Sequence, residues 1–243
     1  MTLAVTPAPL NAAPHKHRGD GALRDRALIL APFLLSVVYL ALLAYPQTRR
    51  FAVHMTDENY PVEIGTFFLL LVAAGLSINL ALRMARSREQ LRWRAFYLVF
   101  ALLLFLTAME EISWGQWFFH FHTPDSISRI NTQHEFNLHN LKGMGGHTEF
   151  LRLAFGVGGF IGIALWRWPA FRPIAAPPRV LWAWFAVITA FAAADLFCDY
   201  HELDTAFAKA MDVMSEVVEL MIAASAVLYV WMKRSDVAAR ETA

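Results

Sequence analysis

The chain has 243 residues, 57% hydrophobic, 14% aromatic and only 17% charged, with a formal net charge of +1. That balance is too apolar for an ordinary soluble domain. A single cysteine, Cys198, excludes an intrachain disulfide and any CxxC metal or redox motif, and there is neither a Walker motif nor a nucleic-acid-binding footprint.

In chain order, residues 1–26 are polar, rich in Pro and Ala, and read as a disordered cytoplasmic tail. The apolar stretch that follows is long enough to span a bilayer and lacks a small-residue cleavage site, so it reads as a helix rather than a signal peptide. A bilayer core about 30 Å thick needs about 20 apolar residues in helix. Six segments qualify: 27–45 (closed by Pro46), 62–84, 95–121, 149–166, 180–200 and 208–232. They are continuously apolar and show no dyad alternation, which argues against strands. The expected fold is all-α, a polytopic helical membrane bundle of six transmembrane helices over 27–232, followed by a cytoplasmic tail at 233–243.

Orientation follows from the Lys/Arg bias. With both ends inside, the inner segments hold fifteen of the 21 lysines and arginines. The outer side keeps Arg49, Arg50, Arg129, Lys142 and Lys209, with Arg152 just inside the fourth helix. Trp93, Trp166, Trp168, Trp182, Trp184 and Trp231 gather at the inner interface, and Trp114 and Trp117 approach the outer one as interfacial anchors. The expected location is the bacterial inner (plasma) membrane, with membrane lipids as the only partner class implied.

Acidic residues sort the other way. Fifteen of the 20, with seven of the nine histidines, fall on the outer side. An ionisable group inside a span costs about 2.5–3.5 kcal/mol near the bilayer centre on insertion scales, and pairing, water or a metal usually offsets it. Asp195, Asp199 and Glu202 stand at i, i+4 and i+7 on the fifth helix, and Asp212, Glu216 and Glu219 repeat that spacing on the sixth. Thr107, Glu110, Ser113 and Trp117 share a face of the third helix with Glu111 beside it, and Glu63 opens the second. The loop after the third helix adds Asn131, Gln133, His134, Glu135, Asn137, His139 and Asn140 as candidate ligands.

Inward carboxylates from several helices, with histidines nearby, form the kind of constellation that holds one or two divalent metal ions. The candidate ligands are Glu110, Glu111, His139, Asp195, Asp199, Glu216 and Glu219, with Glu110, Glu111, His139, Asp195 and Glu216 as candidate catalytic groups. No E-x-x-H or H-E-x-x-H motif is present. Plainer accounts stand beside this one: ion pairs, helix-end solvation, and dipole complementation by Asp212 and Glu149 near helix starts. His54, His147, His201 and Asp57 read as solvated loop residues, Cys198 as a small buried hydrophobe, and Gly156 to Gly162 as close helix packing.

Glu110-Glu111-Ile112-Ser113-Trp114-Gly115-Gln116, followed by Asn131-x-Gln133-x-Glu135-x-Asn137-Leu138-His139-Asn140, resembles the signature of an uncharacterised family of bacterial multi-spanning membrane proteins. The resemblance covers about 30 residues and implies no particular reaction, and His134 stands where glycine is expected. More faintly, Asp57-Glu58-Asn59-Tyr60 resembles the N-terminal segment of the membrane metal-dependent hydrolases that include alkaline ceramidases, whose H-x-x-x-H motif the last helices lack.

Two functions fit these residues. One is a membrane-embedded, metal-dependent enzyme with an outer-leaflet site acting on a lipid or lipid-linked substrate. The other is a cation- or proton-coupled transporter, or a non-enzymatic assembly subunit, using the same carboxylates. No acids continue into the inner half of the bundle.

Overall fold

Apolar length and proline placement set the helices. The computed structural model describes residues 18–57, 60–84, 88–131, 134–138, 141–142, 148–168, 171 and 175–241. The first helix, α1 (Arg18–Ala44), starts before the expected 27, within the stretch read as tail. It contains Pro32, whose missing N–H frees the carbonyl of Leu28. Trp184 Nε1 of a later helix takes that carbonyl at 2.9 Å, so a broken backbone bond becomes an interhelical one.

Pro46 opens α2 (Pro46–Met55), a short helix that lies against α1 through the fully buried Ala52, whose carbonyl accepts from Tyr39 Oη at 2.6 Å. Pro61 occupies the first position of α3 (Pro61–Arg83), where its absent N–H is not missed. Next come α4 (Arg88–Glu111), α5 (Gln116–Phe119), α6 (Asp125–Ser128), α7 (Glu149–Ala164), α8 (Trp182–Tyr200) and α9 (Ala206–Glu241). Six helical stretches are long and apolar enough to cross a membrane: Gly21–Ala44, Pro61–Arg83, Leu91–Glu111, Glu149–Arg167, Arg179–Tyr200 and Ala206–Val237. The chain is an all-α helical membrane bundle of six spans. Exposed Leu34, Val37 and Val38 on α1, and Leu98, Val99, Leu102 and Leu103 on α4, suit a lipid-facing surface.

α9 is the central post. It packs against α3, α8, α1 and α7, while α4 leans on α3 and α7 on α8. Met214, Val217, Val218, Met221 and Val230 of α9 are all but fully buried. The α7–α8 seam is close because of glycine: a Cβ on Gly159 would lie 2.3 Å from the Phe185 ring, and one on Gly156 2.3 Å from Thr189 Oγ1. The glycine run is therefore a packing feature, as its apolar setting suggests.

Two ends differ from expectation. The third span was expected through 121, but α4 stops at Glu111, because Ser113 (φ 46°), Trp114 (φ 55°) and Gly115 (φ 84°) are left-handed and cannot continue a right-handed helix. At the other end, α9 stays helical to Glu241, past the tail expected from 233. Its Lys233 is buried beneath the Trp166 ring, 5.7 Å from the centroid.

Candidate functional site

Residues 110 and 111 end α4 and point in different directions, as neighbours on a helix about 100° apart must. They divide the predicted site residues into two groups, both at the end of the bundle where α4 stops and α7 begins, called here the acidic end.

Glu110 belongs to a polar clasp. One of its oxygens accepts from Trp114 Nε1 at 2.6 Å and the other from the backbone N–H of Leu138 at 2.6 Å. Ser113 Oγ donates to the Glu135 carboxylate in a short hydrogen bond and accepts from Asn137 Nδ2 at 2.9 Å. Asn137 Nδ2 also reaches Glu135 Oε2 at 3.0 Å. Asn131, fully buried, donates to the side-chain oxygen of Asn137 at 2.8 Å and accepts from the backbone N–H of Glu135 at 3.2 Å. Gln116 bridges outward, its Nε2 donating to Thr123 Oγ1 at 2.9 Å and its Oε1 accepting from the Phe136 N–H at 2.8 Å.

The strings 110–116 and 131–138 are thus each other's hydrogen-bond partners. Left-handed backbone at the non-glycine residues Ser113 and Trp114 costs about 1–3 kcal/mol each. The clasp holds that turn in place. His134 is itself left-handed at φ 61°, with its Nδ1 2.8 Å from the Ser128 carbonyl oxygen. A position that demands positive φ suits glycine and accommodates a residue able to bond locally.

Glu111 faces the other group, an arginine–carboxylate cluster. Arg152, one turn into α7, sends Nη2 to Asp195 Oδ2 of α8 at 2.6 Å and Nη1 to Glu219 Oε1 of α9 at 2.8 Å. Arg152 and Asp195 are buried, and so is Glu149 one turn before Arg152. Glu216 and Glu219 of α9 and Glu63 in the first turn of α3 lie close enough to interact electrostatically with Glu111, and Arg152 does too. Asp199 and Glu149 reach Asp195 in the same way. A crevice too narrow for a water molecule lies beside Arg152, Asp195 and Ser215. Arg152 Nε is buried with no hydrogen-bond partner among the described residues.

The cluster therefore gathers Glu111, Asp195, Glu216 and Glu219 across three helices, with the exposed Asp199 at its rim. Glu110 is turned away into the clasp, and His139, Gln133 and Asn140 lie outside the described residues. Among the described residues, no three His, Cys, Asp or Glu side chains are placed together as a metal ion would require. The i, i+7 face expected of Asp195 and Glu202 does not form. α8 ends at Tyr200, and Glu202 follows it in a left-handed turn, exposed. Nor is Asp212 in a first turn, because α9 begins back at Ala206, whereas Glu149 does open α7.

Other groups stand apart. His54 pairs with Asp57 at 2.9 Å in the open, and His201 Nδ1 contacts its own helix at the Phe197 carbonyl. Exposed Lys209 lies 2.7 Å from Asp204 and holds that carboxyl below its ordinary range. Cys198 is buried.

The residue that sequence reasoning missed is Arg152, counted only for topology. Its signal was present: Glu149-x-x-Arg152 puts an acid and a base on one face at the head of an apolar span. No protein-family model, curated protein or solved structure matches the chain.

Proposed function

We propose that this is a bacterial plasma-membrane protein, both termini cytoplasmic, whose outward acidic end binds an exchangeable cation and acts on a lipid or lipid-linked substrate at that face. One observation carries the reading. A single guanidinium, Arg152, serves Asp195 and Glu219 directly while Glu216, Glu111 and Glu63 crowd the same space. Among the described residues, the four carboxylates Asp195, Glu219, Glu216 and Glu111 against this one guanidinium leave negative charge to be balanced. In a low-dielectric setting, protons or a bound cation supply that balance. Oxygen-only donors suit a hard divalent ion such as Mg²⁺, Ca²⁺ or Mn²⁺. Glu111, Asp195, Glu216 and Glu219 would supply them by drawing closer together, since no three of these side chains are placed for one ion in the arrangement described.

Work at one face is favoured over conduction by the polar groups deeper in the bundle. Ser77 donates to the Tyr97 carbonyl, Ser225 to that of Ile222 and Tyr229 to that of Ala175. Those hydroxyl protons are committed to backbone acceptors and do not continue the acidic cluster inward.

The test is metal analysis of detergent-purified protein together with thermal melting in Mg²⁺, Ca²⁺ and Mn²⁺, for the wild type and Glu111→Gln. A divalent ion near one per chain, or a metal-dependent rise in melting temperature that Glu111→Gln loses, supports the cation site. Absence of both, combined with charge movement in proteoliposomes that Glu219→Gln abolishes, would replace it with proton-coupled transport.

A further inference from the structure

The clasp contains more than its structural task requires. A loop can be pinned by amides alone, yet here a serine hydroxyl hydrogen points at a half-buried carboxylate. Ser113 Oγ donates to Glu135 Oε2 and accepts from Asn137 Nδ2, so the direction of the proton is fixed by the third group. Asn137 Nδ2 also holds the same Glu135 oxygen, and Asn131 holds the Glu135 backbone. Nucleophile, base and orienting group are within hydrogen-bond reach of one another, the arrangement that activates an alcohol. The serine sits in a left-handed turn at the end of a helix, a strained placement of the kind that presents nucleophiles in hydrolases.

We propose that Ser113 is an acyl-accepting nucleophile with Glu135 as its general base, and that its substrate class is an acyl ester carried by a membrane lipid. The lipid assignment rests on the acidic-end reading given above and on what surrounds the turn. Phe118, Phe119, Ile130 and Leu138 are all exposed there, Phe119 at 79%, giving an apolar rim that acyl chains would cover. Ser113 itself is 6% exposed, so bulk water is largely kept from the pair.

The step balances with the groups present. Ser113 Oγ bonds to the ester carbonyl carbon while its proton passes to Glu135. A carboxylate is a weak base toward an alcohol, so the proton moves only as the new C–O bond forms. The ester C–O bond to the lipid alcohol then breaks, and Glu135 returns the proton to the departing alkoxide. Water, deprotonated by Glu135, next attacks the acyl-serine; a fatty acid leaves and Ser113 recovers its hydrogen. The sum is ester plus water giving alcohol plus acid, with no change of oxidation state. Asn137 is a positioning residue.

A long-chain alkyl fluorophosphonate, added to the full-length protein in phosphatidylglycerol–phosphatidylethanolamine vesicles and followed by peptide mass spectrometry, tests the assignment. The expected result is a phosphonyl adduct on Ser113, absent in Ser113→Ala and formed at least about 100-fold more slowly in Glu135→Gln. A folded wild type without an adduct on Ser113, while a control serine hydrolase in the same vesicles is labelled, overturns it. So does equal labelling of wild type and Glu135→Gln. Should Glu135→Gln not fold, the wild-type adduct decides alone. Labelling that persists when metal analysis and melting show no bound ion would strike down the cation reading and leave the nucleophile standing.

Discussion

The clasp and the arginine–carboxylate cluster begin one residue apart, at Glu110 and Glu111, and are built on opposite rules. In the clasp, donors and acceptors are matched: both Glu110 oxygens, Ser113 Oγ, both ends of the Gln116 amide and the buried Asn131 amide have partners within 3.2 Å. In the cluster, acids outnumber the one guanidinium that joins them. A matched network fixes a conformation, because any change leaves a buried group unpaired. A network with surplus charge does not fix its own occupancy, since it must be completed by something that can leave. The first region is suited to hold a turn and a side-chain geometry, the second to bind and release.

The largest effect that would break this contrast is expected at Arg152. Substituting Met keeps volume and removes the guanidinium, leaving the buried Asp195 and the half-buried Glu219 unpaired beside Glu216 and Glu111. Breaking a buried pair by deleting one partner costs about 3–5 kcal/mol. Thermal unfolding in detergent should show Arg152→Met as the least stable single variant in the bundle. Arg152→Lys should recover only part of the loss, because an ammonium cannot span two carboxylates as a planar fork does. Wild-type melting of Arg152→Met would mean that the guanidinium is incidental.

In the clasp the comparable loss is smaller. Asn131→Ala removes the donor to the Asn137 side-chain oxygen and the acceptor of the Glu135 N–H, while the Asn137 amide keeps its bonds to Ser113 and Glu135. A buried polar group left unsatisfied costs about 1–3 kcal/mol, and that is the expected drop. Proteolysis of the segment 121–142 should accelerate in the same variant, since the turn at Ser113–Gly115 loses its support. If Asn131→Ala melts and resists protease like wild type, the clasp is decoration.

Much of this architecture is legible in the order of the amino acids. Apolar run length answers directly to bilayer thickness, so six spans and their all-α character follow from it, and the short connection between α8 and α9 puts Asp195 at a depth similar to that of Glu219, with Glu216 one turn away from Glu219. What escapes is whatever depends on a distant partner. The apolar content of 116–121 extends the third span by composition alone. The left-handed turn that ends α4 is stabilised from Glu135 and Asn137, about twenty residues downstream, and only Gly115 hints at it. Composition likewise cannot say which of two adjacent glutamates faces inward. Nor can it say that Arg152, one of six basic residues on the acidic side, is the hub of the cluster.

The smallest predicted effect is the sharpest, because it differs in sign. Glu216 interacts with Glu219, Glu63 and Asp212 and has Arg152 nearby, but Asp195 and Glu219 already hold both Nη atoms of that guanidinium. Glu216→Gln removes one surplus charge while keeping shape and hydrogen-bonding capacity. Repulsion among the carboxylates falls, and the direct arginine bonds are untouched. The expected change is a rise in melting temperature of a few degrees at a pH high enough to ionise the wild-type carboxyl, corresponding to about 1 kcal/mol. The gain should shrink as the solution is acidified, because protons then relieve in the wild type what the substitution relieves permanently. Divalent ions should raise the wild-type melting temperature toward the variant's and leave the variant itself unmoved. A clasp residue cannot give that pattern: Glu135→Gln has no surplus to remove and is expected to destabilise. Were Glu216→Gln to melt lower than wild type at every pH, the cluster would be as fully matched as the clasp, and its surplus charge would already be satisfied within the protein.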